Sequence, residues 1–466
     1  MQMQTGYRRL IGSKSFYKMV LMIAVPIMLQ NGITNFVSML DNIMVGQVGT
    51  NPMSGVAIVN QLLFVFNICV FGAVSGAGIF GAQFFGSGDR QGQRYAFRYK
   101  LWICGVILTA GLLIFHFWGT ELSSLYLSDT GSAADVAETL QYAEDYLAVM
   151  MNGLPPYALT QIYASSLRET GQTLEPMKAS LLAVVINMSL NYVLIFGKLG
   201  APALGVVGAA IATVIARFAE CVYIVLWTHG HAENTPYIIG IYKSLRIPRK
   251  LVGEIFRKGT PLMLNEMLWA SGMAVMAQCY SVRGLEVVAA VNITSTIFNV
   301  VSVVYIALGD SVAIMVGRQL GADHFEEAKD TAYKLIAFAT FSCVLTGLVM
   351  GLLGPVFPKI YDTSDEIRAL ACGMIWINAL CMPIFGFLHA CYFTLRSGGK
   401  TGITFLFDSG YLWVIMVPLA FVLSRFTGLS ILPLYFATKF IEAGKCVLGA
   451  VLVSRGAWIN NMVSSK

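Results

Sequence analysis

The chain has 466 residues, 56% hydrophobic and only 12% charged, with a net charge of +6. Soluble domains run near 25% charged, so a soluble globular protein with a single membrane anchor is excluded. The nine cysteines include no Cys-x-x-Cys pair and mostly lie in apolar runs, indicating neither a metal site nor a disulfide framework.

Cutting the chain at its polar interruptions predicts twelve helical spans, near 16–40, 54–83, 95–118, 140–165, 176–197, 205–228, 254–280, 287–316, 332–356, 369–393, 403–424 and 430–453. Each approaches or exceeds the ~20 residues that carry a helix across ~30 Å of hydrocarbon. The first span follows a basic start, as a signal peptide does. Its apolar run is too long, though, and no small-x-small cleavage site follows, so it reads as a retained helix. With both termini on one side, twenty-three Lys and Arg fall on that side. Five fall on the other: Lys198, Arg283, Lys359, Arg368 and Arg425. The bias places the termini in the cytoplasm and accounts for the net charge without a nucleic-acid partner.

The connection near 229–253 divides the chain into an N-terminal lobe (1–228) and a C-terminal lobe (254–466) of six spans each. The two look like copies. Pro26-Ile-Met-Leu matches Pro261-Leu-Met-Leu at an offset of 235, as do Gly49 with Gly284 and Gly86 with Gly321. Pro155 with Pro383 and Leu167-Arg168 with Leu395-Arg396 share an offset of 228. Duplicated helical bundles are a transporter plan, with sites near the bilayer midplane.

Charge inside a membrane costs at least ~2.5–3.5 kcal/mol per group, which singles out Asp41, Glu220, Glu266, Asp310, Asp408 and Glu442. Asp41 lies 23 residues past Lys18, about 35 Å along span 1. Glu266 lies eight residues past Lys258, about 12 Å into span 7. Glu220 has Arg217 at i−3, and Glu442 has Lys439 and Lys445 at the same spacing, so local pairing explains both. Asp310, within reach of Arg318, and Asp408, at the start of span 11, read equally as structural or functional. Asn187 and Asn191 share a face of span 5, and Thr213 lies on span 6. Neutral oxygens with one carboxylate suit a hard monovalent cation, although Asn and Thr also join membrane helices. The polar face of span 1 (Gln30, Asn31, Thr34) is open to the same two readings.

Three patterns are set aside. Gly76-Ala-Gly78-Ile-Phe-Gly81 spells a dinucleotide fingerprint but lies inside an apolar helix, where it serves helix packing. Asn187-Met-Ser189 and Asn292-Ile-Thr294 are glycosylation sequons within spans, and His229-Gly-His231 reads as a solvated loop pair. No phosphate-binding Gly-Lys-Ser/Thr loop is present, so pumping driven by ATP hydrolysis on this chain is not expected, nor does any His-Glu-x-x-His pattern indicate an intramembrane enzyme.

The sequence resembles the multidrug and toxic compound extrusion (MATE) family of cation-coupled antiporters along its whole length. The resemblance is carried by Leu167-Arg-Glu-Thr-Gly171-Gln-Thr-Leu-Glu-Pro176, Asn187 to Tyr192, Gly197, Gly205-Val-Val-Gly208-Ala-Ala-Ile-Ala-Thr213 and Met39-Leu-Asp41-Asn-Ile-Met-Val-Gly46. Gly86-Ser-Gly-Asp89 and Gly321-Ala-Asp323 add to it. It implies an all-α polytopic membrane protein of the bacterial inner membrane, with two pseudo-symmetric six-helix lobes around a central cleft. The implied activity is exchange of organic cations or drugs for Na+ or H+, without a cofactor, by a monomer in the lipid bilayer. The coupling site it implies is Asp41 with Asn187, Asn191 and Thr213, with no metal beyond Na+ at Asp41. Some relatives carry a second acid where this chain has Asn191. An acid of span 7 in some relatives lies about one turn from Glu266, and span 10, acidic in part of the family, has only His389 here. Glu266, Gln30, Asn31, Thr34 and Asp408 are the candidate substrate-cleft residues. The competing reading is a flippase for a lipid-linked precursor, which would favour a basic cleft.

Overall fold

The computed structural model describes residues 10–127, 133–361 and 363–464, and no strand occurs among them. Lipid offers no partner to a bare peptide group, so a chain this apolar bonds its backbone within helices. These run α1 (Lys14–Gly46), α2 (Thr50–Gly86), α3 (Arg90–Ser124), α4 (Ala133–Met150), α5 (Leu154–Glu169), α6 (Leu174–Phe196), α7 (Gly205–Gly230), α8 (Arg249–Ser281), α9 (Leu285–Gly321) and α10 (Phe325–Leu353). They continue as α11 (Asp365–Ser397), α12 (Thr401–Phe405), α13 (Val417–Phe426), α14 (Ile431–Phe440) and α15 (Glu442–Ser454).

Nine helical stretches among the described residues are long and apolar enough to cross a membrane. Three predicted spans correspond to helices outside that set. Span 4 is broken into α4 and α5 by a 310 turn at Met151–Gly153, just before the Pro155-Pro156 pair that opens α5. Span 7 is α8, which opens with several charges and carries Asn265 and Glu266. Span 12 is α14 and α15, which meet at Ile441. Span 11 is continuous from Thr401 to Phe426, but its middle, Leu406–Gly410 and Leu412–Met416, is π-helical.

The chain forms two compact units. Unit 1 takes the residues through Met28, Ala82–Asp89 and everything from Phe256 onward; unit 2 takes Leu29–Gly81 and Arg90–Ile255. The main border, between Ile255 and Phe256, falls just inside the predicted C-terminal lobe.

Within unit 1, α2 and α9 cross on a pair of glycines. A Cβ on Gly86 would run into the Arg318 carbonyl, and one on Gly321 into the Gln83 carbonyl. Since Gln83 and Arg318 are also 235 apart, the crossing is reciprocal, each copy of the repeat using its glycine against the other. In unit 2, α6 and α7 form a tight hairpin. Gly197 ends α6 in the left-handed conformation (φ 64°), and Leu204 N–H returns to the Leu194 carbonyl at 2.8 Å. Gly208 lies so close to that carbonyl that a Cβ would sit 2.6 Å from it. This approach sets Thr213 opposite Asn187.

Candidate cation site

In unit 2 the polar residues of α1, α6 and α7 meet in two layers. In the first, Asn191 Nδ2 donates to Asp41 Oδ1 at 2.6 Å and to Asn187 Oδ1 at 3.2 Å. Asn187 Nδ2 donates to Thr213 Oγ1 at 3.2 Å, and that hydroxyl donates to the Ala209 carbonyl at 3.0 Å. Asn187 and Asn191 are buried, and Asp41 and Thr213 half-buried. The four residues predicted for a cation are therefore in one hydrogen-bonded set. Among the described residues, no donor reaches the buried Asn191 Oδ1 acceptor. An orphaned acceptor beside a carboxylate, with all other ligands neutral oxygens, fits a small hard cation or a proton.

The second layer lies eleven residues back on α1 and α6 and seven residues on along α7, spacings that return to nearly the same helix face. Here Gln30 Nε2 donates to Ser180 Oγ at 2.8 Å, and Ser180 Oγ donates to Glu220 Oε1 at 2.6 Å. Arg168 Nη2 donates to Gln30 Oε1 at 2.8 Å. The predicted pairing of Glu220 with Arg217 does not form. Arg217 instead bonds the Gly153 carbonyl at 3.4 Å and lies over the Tyr157 ring, 5.0 Å from its centroid. A turn of spacing permits an ion pair, but this guanidinium reaches across to α5.

Unit 1 holds a second polar cluster, on α8, α11, α15 and the π-helical part of span 11. Asp408 receives Lys445 Nζ at 2.8 Å and Asn265 Nδ2 at 3.1 Å. Asn265 also reaches the Tyr392 hydroxyl at 3.3 Å, and Ser409 Oγ donates to Asn265 Oδ1 at 2.7 Å. The wider π turn lets the consecutive residues Asp408 and Ser409 address the same asparagine. Lys445 therefore serves Asp408, not the Glu442 that its spacing suggested. Glu266 is half-buried and makes no hydrogen bond or ion pair among the described residues.

The remaining candidates are placed differently. Gln30 is engaged within the second layer. Thr34 is exposed and bonds the Gln30 carbonyl of its own helix at 2.8 Å, and Asn31 is half-buried. His229 and His231 are both exposed, as a solvated pair would be, but His229 belongs to α7 and its Nε2 shares a hydrogen bond with Tyr163 at 3.0 Å. The glycines of Gly76-Ala-Gly78-Ile-Phe-Gly81 make room for a side chain more than for another backbone. A Cβ on Gly78 would lie 2.9 Å from Glu169 Oε1, and one on Gly81 would collide with the same carboxylate. That carboxylate is paired with the fully buried Lys100 at 2.5 Å.

Sequence reasoning missed Ser180, Asn265 and Lys445. Ser and Asn are too common in membrane helices to stand out singly. Lys445 has Glu442 at helical spacing, and nothing along its own helix points instead to Asp408.

Comparison with known proteins bears on the family and the fold. The sequence model of the MatE family matches residues 26–193 and again 261–422. The two matches begin at Pro26 and Pro261, the 235-residue repeat read from the sequence. The chain is similar to the probable multidrug resistance protein NorM of Thermotoga maritima, 27% identical over 432 residues and covering 89% of this chain and 87% of that protein. It is also similar to the probable multidrug resistance protein YoeA of Bacillus subtilis, 24% identical over 443 residues and 92% of each. Among solved structures, a multidrug resistance MATE family transporter in an outward-facing conformation superposes with a TM-score of 0.84 at 16% identity, over 98% of this chain and 99% of that one. A MATE transporter of Vibrio cholerae does so with a TM-score of 0.84 at 18% identity, over 96% and 98%.

Proposed function

We propose that this chain, which belongs to the multidrug and toxic compound extrusion (MATE) family, exports organic cations in exchange for Na+ or H+ taken up at Asp41. Family membership makes it a multi-pass membrane transporter of the multidrug efflux kind and not an enzyme, and it favours efflux over the lipid-precursor flippase. The further proposals are twelve spans in two six-helix lobes (1–228 and 254–466), both termini cytoplasmic, in the bacterial inner membrane, working as a monomer.

The observation that carries the coupling proposal is the first layer of unit 2. It holds one carboxylate, three neutral side chains and one buried acceptor that no donor reaches among the described residues. A carboxylate in a membrane interior is costly while charged. Asp41 is neutralised either by a proton on its own carboxyl or by Na+ held with Asn187, Asn191 and Thr213. Occupancy changes the relative free energy of the conformations in which the site faces each side, by no more than the cation's differential affinity for them. Couplings of this type are typically ~1–3 kcal/mol. Glu266, with no partner bound to its carboxylate, is the group proposed to attract the positive charge of a drug. Aromatic and Met side chains supply adaptable apolar contact.

The test uses purified protein in proteoliposomes under separately imposed Na+ and proton gradients, with ethidium as substrate. Wild type should be driven by at least one gradient, and Asp41→Asn by neither while remaining folded and inserted. Unchanged gradient-driven efflux in Asp41→Asn would defeat the proposal.

A further inference from the structure

The two units contain the same trio of polar residues on equivalent helices. Asn265 follows Gln30 by 235 residues, Asp408 follows Ser180 by 228, and Lys445 follows Glu220 by 225. The first two offsets are those of the repeat itself. In each trio the amide of the first residue donates to the middle one, at 2.8 Å in unit 2 and 3.1 Å in unit 1. In each, the middle residue bonds the last, at 2.6 and 2.8 Å. Arg168, whose repeat equivalent is Arg396, donates to Gln30 of the unit 2 trio at 2.8 Å.

The charges differ. In unit 1 the trio contains its own cation, because the Lys445 ammonium neutralises Asp408. In unit 2 the last position is the acid itself, and its only hydrogen bond among the described residues comes from a neutral serine. The charged and titratable groups around Glu220 are Arg217 and Cys221 on its own helix and Arg168 and Tyr157 on α5. On α6 and α1 it faces only Ser180 and the Gln30 behind it, and Tyr146 of α4 faces Arg217. None makes an ion pair with the carboxylate. The lysine of unit 1 is bonded to its acid, whereas the half-buried Glu220 carboxylate has two guanidinium groups near it and, among the described residues, is bonded to neither.

We propose that Glu220 is a second proton-binding carboxylate of the transport cycle, on the same helix faces as Asp41 and two turns along α7 from its layer. The inference rests on Asp41 being a cation-exchange site. A charged carboxylate inside a membrane is costly, so Glu220 exchanges a proton with water. Taking one up forms an O–H bond at the carboxylate. Releasing it to water leaves the electron pair on oxygen. Ser180 and Gln30 are positioning residues that hold the carboxylate in place.

Infrared difference spectroscopy of the purified, full-length protein, acid minus alkaline, reads protonated carboxyl groups directly. Wild type should show two titrating carboxyl components in the C=O region, of which Glu220→Gln loses one and Asp41→Asn the other. Glutamine keeps the acceptor for the Ser180 hydroxyl, and an unaltered elution profile and melting temperature establish that the fold is kept. Ser180→Ala should keep the Glu220 component and shift its midpoint, and ethidium efflux by Glu220→Gln should fall about 3- to 10-fold with a flattened pH profile. A Glu220→Gln spectrum identical to wild type in the carboxyl region would mean a permanently ionised Glu220. That result would overturn the proposal and leave the Asp41 reading intact. Loss of a component in Glu220→Gln with none lost in Asp41→Asn would instead exclude a proton at Asp41, leave Na+ as its cation, and keep Glu220 as a proton site.

Discussion

Unit 2 and unit 1 repeat one helical scaffold, yet only unit 2 keeps a carboxylate in the layer of Asp41. At the repeat offsets, Asp41 falls on Met276, Asn187 on Ile415 and Asn191 on Leu419, while Thr213 falls on Thr438. Thr438 is taken up by the Tyr280 hydroxyl at 2.7 Å. The proposed cation layer of one unit is thus an apolar and aromatic layer in the other. One layer away the relation changes: both units keep a polar trio, but unit 1 closes it with a lysine of its own. On the proposed reading, the duplicated bundle supplies positions, and single substitutions decide whether a position holds an exchangeable cation or a tethered one.

This contrast can be broken or sharpened by mutation. The largest expected effect is in unit 2, where Asp41→Asn should reduce gradient-driven ethidium efflux by at least about 100-fold, a barrier of ~2.7 kcal/mol or more. The same assay on Met276→Leu should show nearly wild-type rates. In unit 1 the expected loss is of stability. Removing one partner of a buried ion pair costs ~3–5 kcal/mol, so Asp408→Asn or Lys445→Met alone should lower the detergent melting temperature clearly. The double variant should recover much of that loss. Equal melting of single and double variants would mean that the pair is not energetically coupled.

A smaller effect is expected at Glu266. Glu266→Gln should raise KM about tenfold for a cationic drug and leave a neutral one unchanged, as loss of ~1.4 kcal/mol of charge attraction requires. The smallest contrast compares the matching threonines. Thr213→Val should weaken cation activation only severalfold, and Thr438→Val should leave it unaltered while lowering stability by ~1 kcal/mol.

Much of this organisation was legible in the residues. The apolar runs gave the helices, because lipid leaves the backbone no alternative. Asp41, Asn187, Asn191 and Thr213 stood out because charge and paired amides are rare and costly within spans. What stayed hidden depended on direction in space. Arg217 and Lys445 each had an acid at helical spacing, yet both reach across to another helix, which spacing along one helix cannot reveal. The π turn at Asp408 was equally hidden, since Leu406–Met416 carries no proline or other signal that would distinguish it from an ordinary helix. Gly78 and Gly81 looked like helix-packing glycines, and only the placement of Glu169 explains why both must lack a side chain.

The most direct test is sodium binding by the purified protein, measured by isothermal titration across a pH series for wild type and Asp41→Asn. Coupling at Asp41 predicts one cation more taken up by wild type than by the variant, as bound Na+ or as a proton that competes with it. Equal sodium binding and equal proton uptake by the two proteins would contradict it.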